Sequence, residues 1–343
     1  MPGERSLLEV LRKWLAQGDL PFRDFVELAL YHPDFGYYTR PESPVGKAAD
    51  FVTSPSLSPV FGFVLGRLIR EYMSRGGDVA STIVDIGRGD GSLINNLRAE
   101  VPEARIVGVE RGEAIPEAGL AISNELFDAQ PFARLVQRGG ELRELTVVER
   151  DAGLDWGERA AGQEYVDYFA ARDVRLDDGQ FADISLDWAT LYEAICRAVP
   201  RGLIVTFDYG FLQDALFRSR MRRWGTAAAY AGQRVSRDLL ANPGRQDLTA
   251  HVNFTDLIET GERNGFSTLF FDRQAKFLLA LGAAEHELFT PVTDLAVGSI
   301  ELMERRDEAR RLVLPDGIGE DIRVLVQGRG VPLDGWTFQR RLW

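Results

Sequence analysis

The stretch STIVDIGRGDGS, residues 81–92, determines the fold class, because it combines a short apolar strand, a glycine-rich turn and the start of a helix. Gly87, Gly89 and Gly91 let the backbone turn tightly and leave room for a ligand beside the N–H groups of the helix N-terminus. A dinucleotide-binding fingerprint has its third glycine three positions after the second, where this chain has a serine. The alternating glycines after Asp85 therefore favour S-adenosylmethionine over NAD, with a turn that binds no ligand as the alternative.

The strands that follow this turn predict a parallel α/β sheet. ARIVGVE at 104–110 completes a βαβ unit with the first strand, and LAIS at 120–123 and LIVTFDYG at 203–210 supply two further strands. Glu110 ends the second strand, where an acid can accept hydrogen bonds from the ribose hydroxyls of an adenosine. A solvated acid at a strand end is the alternative interpretation of Glu110.

An N-terminal helical region and an insertion surround this core. An amphipathic helix near the N-terminus and a second helix at 21–32 precede a long prolyl loop, and helical spacing returns from 61 to 73. Alternation around Gly139 and Gly140 predicts an antiparallel hairpin, and IRVLVQGR predicts a last strand. The predicted division is 1–75 for the N-terminal helices and prolyl loop, 76–210 for the core, 211–260 for an inserted cap, and 261–343 for the C-terminal completion of the core.

Composition excludes several classes of protein. The 343 residues, 45% hydrophobic and 27% charged, suit a globular chain of about two domains. The net charge of −12 argues against a nucleic-acid partner. A single cysteine, Cys196, with three histidines makes a disulfide scaffold or a metal site improbable, so we expect no metal. No apolar run reaches the ~20 residues of a membrane span, and the charged N-terminal helix does not have the pattern of a secretory signal. We therefore expect no membrane partner and a cytoplasmic location.

Seven segments, in chain order, carry a resemblance to a known family. They are LALYHPDFGYY (28–38), DFVTSP (50–55), DIGRGDGSL (85–93), NELFDAQP (124–131), DYG (208–210), PGRQDLTAHVNFTDL (243–257) and QAKFLLALG (274–282). In these segments the chain resembles the MidA family of S-adenosylmethionine-dependent methyltransferases. Mitochondrial members of that family look like protein arginine methyltransferases that act on a complex I subunit during assembly.

The resemblance implies a Rossmann-like class I methyltransferase sheet with an N-terminal helical region and an inserted cap. It also implies S-adenosyl-L-methionine as cofactor and a substrate pocket near NELFD, with part of the prolyl loop closing over the cofactor. The predicted cofactor-binding residues are Asp50, Thr53, Ser54, Asp85, Gly87, Gly89, Gly91, Glu110 and Asn124.

The NELFD segment offers candidate substrate-binding acids. Glu125 and Asp128 stand at the carboxyl end of a parallel strand, where open α/β sheets bind ligands. A guanidinium is planar and permanently charged, so carboxylates are the side chains that would orient it. The alternative is that both acids cap a following helix. His251 is a candidate general base or orienting group, with a structural histidine as the alternative, and Tyr209 is a candidate lining residue of the substrate pocket.

The chain departs from the family pattern at several positions. Arg88 replaces a proline between the first two glycines, Ser56 replaces a glutamate, and Ala228 and Gln233 replace an arginine and a histidine of the cap. The 111–123 segment is too short for the helix, strand and loop that normally follow the second strand. We therefore predict that the edge strand is missing and that one wall of the adenine pocket is lost with it.

Three functions follow from these observations. The first is methyl transfer from S-adenosylmethionine to a nitrogen of a protein arginine side chain, with a protein as substrate. The second is a family member with weakened cofactor binding that serves as a binding or assembly factor. The third is a small-molecule O- or N-methyltransferase, which would use the same cofactor site with a different pocket.

Overall fold

A computed structural model describes residues 6–40, 53–77, 82–151, 153–232, 234–290 and 300–340. Asp50 and Gln233, two residues of the sequence predictions, lie outside the described residues. The helices are α1 (Leu7–Leu15), α2 (Phe22–Tyr31), α3 (Ser54–Leu57), α4 (Pro59–Ser74), α5 (Ser92–Glu100), α6 (Gln163–Ala171), α7 (Asp187–Ala198), α8 (Gln213–Phe217), α9 (Phe254–Arg263), α10 (Gln274–Ala280), α11 (Ile300–Arg311) and α12 (Ile318–Asp321). The strands are β1 (Leu20–Pro21), β2 (Ile83–Ile86), β3 (Ile106–Val109), β4 (Leu120–Asn124), β5 (Ala133–Arg138), β6 (Glu141–Arg150), β7 (Gly153–Ala160), β8 (Phe181–Ile184), β9 (Gly202–Phe211), β10 (Ala228–Ala231), β11 (Arg234–Ser236), β12 (Asp247–Thr249), β13 (Val252–Asn253), β14 (Ser267–Arg273) and β15 (Ile322–Arg329).

A central sheet contains the strands that the glycine turn predicts. Its order is β14-β15-β9-β4-β2-β3, and β13 pairs with the end of β9. The strands β3, β2, β4, β9 and β13 run parallel, whereas β15 pairs antiparallel with β9 and β14. β2 and β4 are short and almost wholly buried, as central parallel strands are when helices cover both faces. The predicted Rossmann-like α/β fold class is confirmed.

Helices cover the two faces of this sheet. On one face, α4 and α5 bring Phe61 and Leu97 into a cluster that includes Phe207 of β9. On the other face, α7 and α9 contribute Trp188 and Leu257 to a separate cluster. Burial of large apolar side chains on both faces fixes the strands relative to one another. The carboxyl ends of the parallel strands, where ligands bind in such sheets, are thereby held in place.

The strand predicted to be missing is absent from the described part of the sheet. β3 pairs there with β2 alone, and β4 enters the sheet on the other side of β2. The connection between Val109 and Leu120 contains no helix or strand. The short spacing in the sequence therefore predicted the edge of the sheet correctly.

A second, antiparallel sheet lies outside the central one. The predicted hairpin around Gly139 and Gly140 is confirmed, because β5 and β6 pair with Arg138 opposite Glu141. However, these strands join β1, β7 and β8 in a five-stranded sheet that is separate from the central sheet. The sheet packs on α1 and α2 through Phe132 and Val147. Residues 133–184 thus extend the cap region, and the boundaries of the four-part division remain predictions.

The predicted cap insertion contains a small three-stranded sheet, β11-β10-β12. After this small sheet the chain returns to the core, where β13 pairs with β9 and Val252 lies opposite Gly210. A Cβ at Gly210 would lie 2.2 Å from the carbonyl oxygen of Val252, so only glycine permits this approach. The pairing holds the residue before β13, His251, close to the end of β9. Among the described helices, none is long and apolar enough to cross a membrane.

Candidate functional site

A cavity of about 370 Å³ opens at the carboxyl ends of β2, β3 and β4. We call it the outer cavity. The residues that line it are Tyr31, Tyr38, Arg40, Thr53, Pro55, Asp85, Gly87, Arg88, Gly89, Asp90, Leu93, Glu110, Arg111, Asn124, Glu125, Leu126, Ala129 and Gln130. Six of the predicted cofactor-binding residues are among them, namely Thr53, Asp85, Gly87, Gly89, Glu110 and Asn124.

The glycine turn forms one wall of the outer cavity. Gly87 and Gly89 have φ angles of 77° and 52°, in the left-handed region that favours glycine. A Cβ at Gly87 would lie 3.0 Å from Cδ1 of Leu126. Gly91, with a φ of 77°, is the N-cap of α5 and lies outside the cavity lining. The turn therefore presents bare backbone to the cavity, as a cofactor that approaches the main chain requires.

Two buried acceptors of the outer cavity have no hydrogen-bond partner among the described residues. They are Oδ2 of Asp85 and Oδ1 of Asn124. Burial, with repulsion from Glu110 and Asp90, raises the pKa of Asp85 to about 7. Unsatisfied buried acceptors are costly, and a ligand that carries N–H or O–H donors would satisfy them. The residues of this cavity therefore fit an amino-acid and nucleoside ligand such as S-adenosylmethionine.

Arg88 forms ion pairs with neighbouring acids. Its guanidinium lies 3.8 Å from Oε1 of Glu110 and 3.6 Å from Oε2 of Glu113. Glu110 also accepts a hydrogen bond from the N–H of Gly89 at 2.9 Å. Arg88, which replaces a proline of the family pattern, thus leaves the glycine turn intact. Glu110 stays in the cavity lining, and the guanidinium of Arg88 partly balances its negative charge.

The short connection after β3 is tied to the N-terminal region beside the outer cavity. Arg111 donates to both carboxylate oxygens of Glu27 at 2.9 Å, which ties the shortened connection to α2. Its guanidinium carbon lies 3.9 Å from the centre of the Tyr31 ring. Both Arg111 and Tyr31 line the outer cavity. A planar guanidinium on an aromatic ring is a suitable wall for a flat base.

We expect the substitution Arg111→Met to weaken binding of S-adenosylhomocysteine about tenfold, because the stacked cation and its tie to Glu27 are lost together. Calorimetry would measure the change. The matched control is Arg75→Met, because Arg75 pairs with Glu71 and lies over the ring of Trp336 away from the cavity. Equal affinities of the Arg111 variant and the control would contradict a role for Arg111 in binding the cofactor.

A second cavity of about 90 Å³ adjoins the first. We call it the inner cavity. The residues that line it are Tyr38, Glu125, Asp128, Tyr209, Thr226, Tyr230, Asp247, Thr249 and His251. All four predicted substrate-site residues, Glu125, Asp128, Tyr209 and His251, are in this lining. Tyr38 and Glu125 line both cavities, so the two cavities meet at these side chains.

Acids dominate the inner cavity. Burial raises the pKa of Glu125 to about 8, and nearby Asp208 and Asp247 add to the rise. The pKa of Asp128 lies well above its usual range for the same reasons. No lysine or arginine belongs to the described lining of this cavity. A cation that entered it would relieve the repulsion among these carboxyl groups and restore their charge.

The backbone at Glu125 is strained. Its φ of 51° is uncommon for a residue with a side chain, and such strain is concentrated at functional sites. Asp208 holds the loop in this form, because Oδ2 accepts hydrogen bonds from the N–H groups of Leu126 and Phe127 at 3.1 and 2.8 Å. Turns rather than a helix follow Glu125, so the alternative that Glu125 and Asp128 cap a helix is wrong.

Sequence reasoning missed Asp208, although the quoted segment DYG contains it. This carboxyl group is fully buried, and burial raises its pKa to about 7. Tyr38 and Asp247 were also missed, and the pKa of Tyr38 is raised in part by its hydrogen bond to Asp247. Each of these three residues lies in a segment on which the family resemblance rests, and that resemblance is the signal that could have identified them.

His251 is held neutral. Burial and the charge of Arg222 lower its pKa to about 4. Its Nδ1 atom is buried and has no hydrogen-bond partner among the described residues, and its ring lies 5.5 Å from that of Phe211. A neutral imidazole has one nitrogen that can accept a proton or a hydrogen bond. His251 is therefore placed to act on a group in the inner cavity.

The prolyl-loop residues divide between two positions. Thr53 lines the outer cavity and forms a capping box with Ser56. Ser56, which replaces a glutamate of the family pattern, therefore has a role in the start of α3. Ser54 is fully buried, and its hydroxyl donates to Gln274 at 3.1 Å. The side chain of Ser54 is thus outside the cavity lining, but its backbone N–H donates to Glu125.

Comparison with known proteins gives consistent matches. A family model described as "Putative S-adenosyl-L-methionine-dependent methyltransferase" matches residues 103–271. The mitochondrial protein arginine methyltransferase NDUFAF7 homolog of Drosophila melanogaster is 33% identical over an alignment of 325 residues, which covers 77% of this chain and 71% of that protein. NDUFAF7 of Danio rerio is 34% identical over 113 residues, which cover 32% of this chain and 26% of that protein. These relatives are mitochondrial, which contradicts the cytoplasmic location expected from the sequence.

A solved structure matches nearly the whole chain. It is that of a Burkholderia thailandensis protein bound to S-adenosyl-homocysteine, with a TM-score of 0.83 and 25% identity. The match covers 96% of this chain and 92% of that one. The central sheet, the second sheet and the cap are therefore features of a shared architecture.

Proposed function

The chain belongs to the family of S-adenosyl-L-methionine-dependent methyltransferases that includes the mitochondrial NDUFAF7 proteins, and we propose from this premise that it methylates a nitrogen of an arginine side chain in a protein. The observation that carries the proposal is the meeting of the two cavities at Glu125 and Tyr38. The outer cavity fits the cofactor, and the inner cavity is small, acidic and aromatic. A guanidinium is the cation that such a cavity suits best.

In this proposal the outer cavity holds the cofactor through its backbone and its unpaired acceptors. The glycine turn would receive the amino-acid end, and Asp85 and Asn124 would accept hydrogen bonds from the ligand's donors. Glu110 is placed to accept hydrogen bonds from the ribose hydroxyls, which would replace the hydrogen bond that it now accepts from the N–H of Gly89. When bound, S-adenosylmethionine supplies an electrophilic methyl group on a positively charged sulfur.

The inner cavity orients the acceptor nitrogen. Glu125 and Asp128 would form charge-assisted hydrogen bonds to the guanidinium, and the left-handed backbone of Glu125 fixes its carboxylate at the junction of the cavities. Much of the rate of a methyl transfer comes from such positioning. The proton that the methylated nitrogen releases passes to the carboxylate of Glu125. His251, neutral at pH 7, accepts a hydrogen bond from another guanidinium N–H through a ring nitrogen.

Labelled methyl transfer tests the proposal. The protein is incubated with methyl-labelled S-adenosylmethionine and with two sets of proteins, one native and one with arginines blocked by a dicarbonyl reagent, and with a small-molecule extract. We expect label in the native proteins, recovered as methylarginine after hydrolysis. Label only in small molecules would support the small-molecule alternative. Binding of the cofactor without any transfer would support the binding or assembly alternative.

Binding of a guanidinium is expected to strengthen as the pH rises. The pKa of Glu125 is about 8 in the empty cavity, so Glu125 must lose its proton before it can pair with the cation. An arginine peptide should therefore bind at least about tenfold more tightly at pH 8 than at pH 6, measured by calorimetry with S-adenosylhomocysteine present. The variant Glu125→Gln should show a clearly smaller pH dependence, and the part that remains should come from Asp128, whose pKa is also raised. Binding that does not change with pH in the unmodified protein would contradict the proposed role.

A further inference from the structure

A groove of about 530 Å³ runs over the second sheet and reaches the cap. We call it the arginine groove, because Arg134, Arg138, Arg150 and Arg237 line it and Glu158 is the one acid in its described lining. Such an excess of arginine is unusual in a chain with 40 basic and 52 acidic residues. The lining of the groove therefore carries more positive than negative side chains, in contrast to the chain as a whole.

The four arginines differ in their ion-pair partners. Arg134 is half of an ion pair with the buried Asp183 at 2.7 Å, and it has a structural role. Arg138 and Arg150 pair with acids at the surface, at 2.7 and 2.9 Å, and both side chains remain about half exposed. Arg237 is exposed, and no carboxylate of the described residues lies within ion-pair distance of it. Exposed guanidinium groups with spare donors bind carboxylates readily.

Hydrogen bonds link the lining of the groove to the lining of the inner cavity. Arg237 donates to the carbonyl oxygen of Ala227 at 3.0 Å, and Ala227 follows Thr226 of the inner cavity lining. Asp183 accepts hydrogen bonds from the N–H groups of Thr226 and Ala227 at 2.6 and 2.8 Å while it pairs with Arg134. One buried carboxylate thus joins the wall of the groove to the rim of the cavity.

Arginines also surround the side of the inner cavity at His251. Arg222 lies 3.5 Å and Arg323 lies 5.1 Å from the centre of the Phe211 ring, against which His251 packs. Neither guanidinium has an ion-pair partner among the described residues. Two further arginines therefore lie on the His251 side of the acidic cavity.

From this arrangement we propose that the methyl-acceptor protein carries acidic residues beside its target arginine, and that these residues bind in the arginine groove while the arginine enters the inner cavity. The inference rests on the proposed function and names its substrate class. A protein segment is favoured over a nucleic acid because the groove lies beside a cavity that suits a side-chain guanidinium, with Arg237 bound to the residue that follows Thr226 of that cavity.

Two matched peptides test the inference. Each has one arginine, flanked on both sides by glutamates in the first peptide and by glutamines in the second. Binding is followed by fluorescence anisotropy with S-adenosylhomocysteine present, so that this readout does not depend on turnover. We expect the glutamate peptide to bind about tenfold more tightly, and we expect the preference to disappear when sodium chloride is raised from about 50 to about 500 mM.

Two double variants test whether the arginine groove causes the preference for the glutamate peptide. Arg138→Gln combined with Arg237→Gln should reduce the preference to less than about threefold, raise KM for the glutamate peptide and leave kcat within about twofold. The matched control is Arg197→Gln combined with Arg310→Gln, since these exposed arginines also pair with acids but lie elsewhere. The control should keep the full preference.

The outcomes separate the two proposals. Equal binding of the two peptides, a preference that high salt does not change, or a preference that the groove variant retains would overturn the inference about the groove. Stronger displacement of the glutamate peptide by a single-stranded oligonucleotide than by an acidic peptide would also overturn it. A glutamate preference in binding without methylation of either peptide would instead refute the proposed function and leave the groove as an acidic-peptide site.

Discussion

Replacement of Gly89 by valine is expected to lower the affinity for S-adenosylhomocysteine at least about 100-fold, or about 2.7 kcal/mol. Gly89 has a φ of 52°, which a β-branched residue rarely adopts, and its N–H donates to Glu110. The valine side chain would also lie in the lining of the outer cavity. Calorimetry with the folded variant would measure the loss, and methyl transfer should fall with it.

The control for Gly89→Val is Gly139→Val. Gly139 has a φ of 56° in the hairpin of the second sheet, and no atom lies within 4 Å of the position of its Cβ. Both substitutions should destabilise the fold by a similar ~1–2 kcal/mol, because the backbone strain is the same. Only the substitution at the turn should affect the cofactor. Equal affinities in the two variants would show that the turn is a structural feature without a ligand.

Replacement of Glu125 by glutamine is expected to reduce kcat/KM for an arginine substrate about 1,000-fold, or about 4 kcal/mol of transition-state stabilisation. Glutamine keeps the size of the side chain but cannot ionise, so the carboxylate that orients the guanidinium and receives its proton is lost. The affinity for S-adenosylhomocysteine should change less than about threefold. Initial rates and calorimetry on the same preparation would separate the two effects.

The control for Glu125→Gln is Glu144→Gln. Glu144 is also buried, and burial also raises its pKa, but it lies in the second sheet and pairs with Arg159 at 2.7 Å. Its neutralisation should cost stability and leave turnover within about twofold. Comparable losses of activity in both variants would indicate a general effect of removing a buried charge rather than a role at the junction of the cavities.

The central sheet was predictable because its signals are local. The strand, turn and helix around Gly87 are adjacent in sequence, and the apolar runs of β3, β4 and β9 specify buried parallel strands. The second sheet was not predictable in this way. Alternation in β5 and β6 specified a hairpin, but the pairing of Leu20 with Val147 depends on packing against α1 and α2.

The candidate site shows the same division. Glu125 and Asp128 were found because they follow a core strand directly, where the fold places ligands. Asp208 acts on Leu126 and Phe127, which lie more than eighty positions earlier in the chain, so its role appears only when β4 and β9 are paired. The contact of Arg111 with Glu27 likewise joins segments that no sequence pattern connects.

A crystal structure with S-adenosylhomocysteine and a short arginine peptide tests the central claim most directly. We expect the nucleoside in the outer cavity and the guanidinium in the inner cavity, with the carboxylate of Glu125 in contact with the guanidinium where the cavities meet. A guanidinium bound elsewhere, or an outer cavity filled by side chains of the protein with the nucleoside at another place, would contradict it.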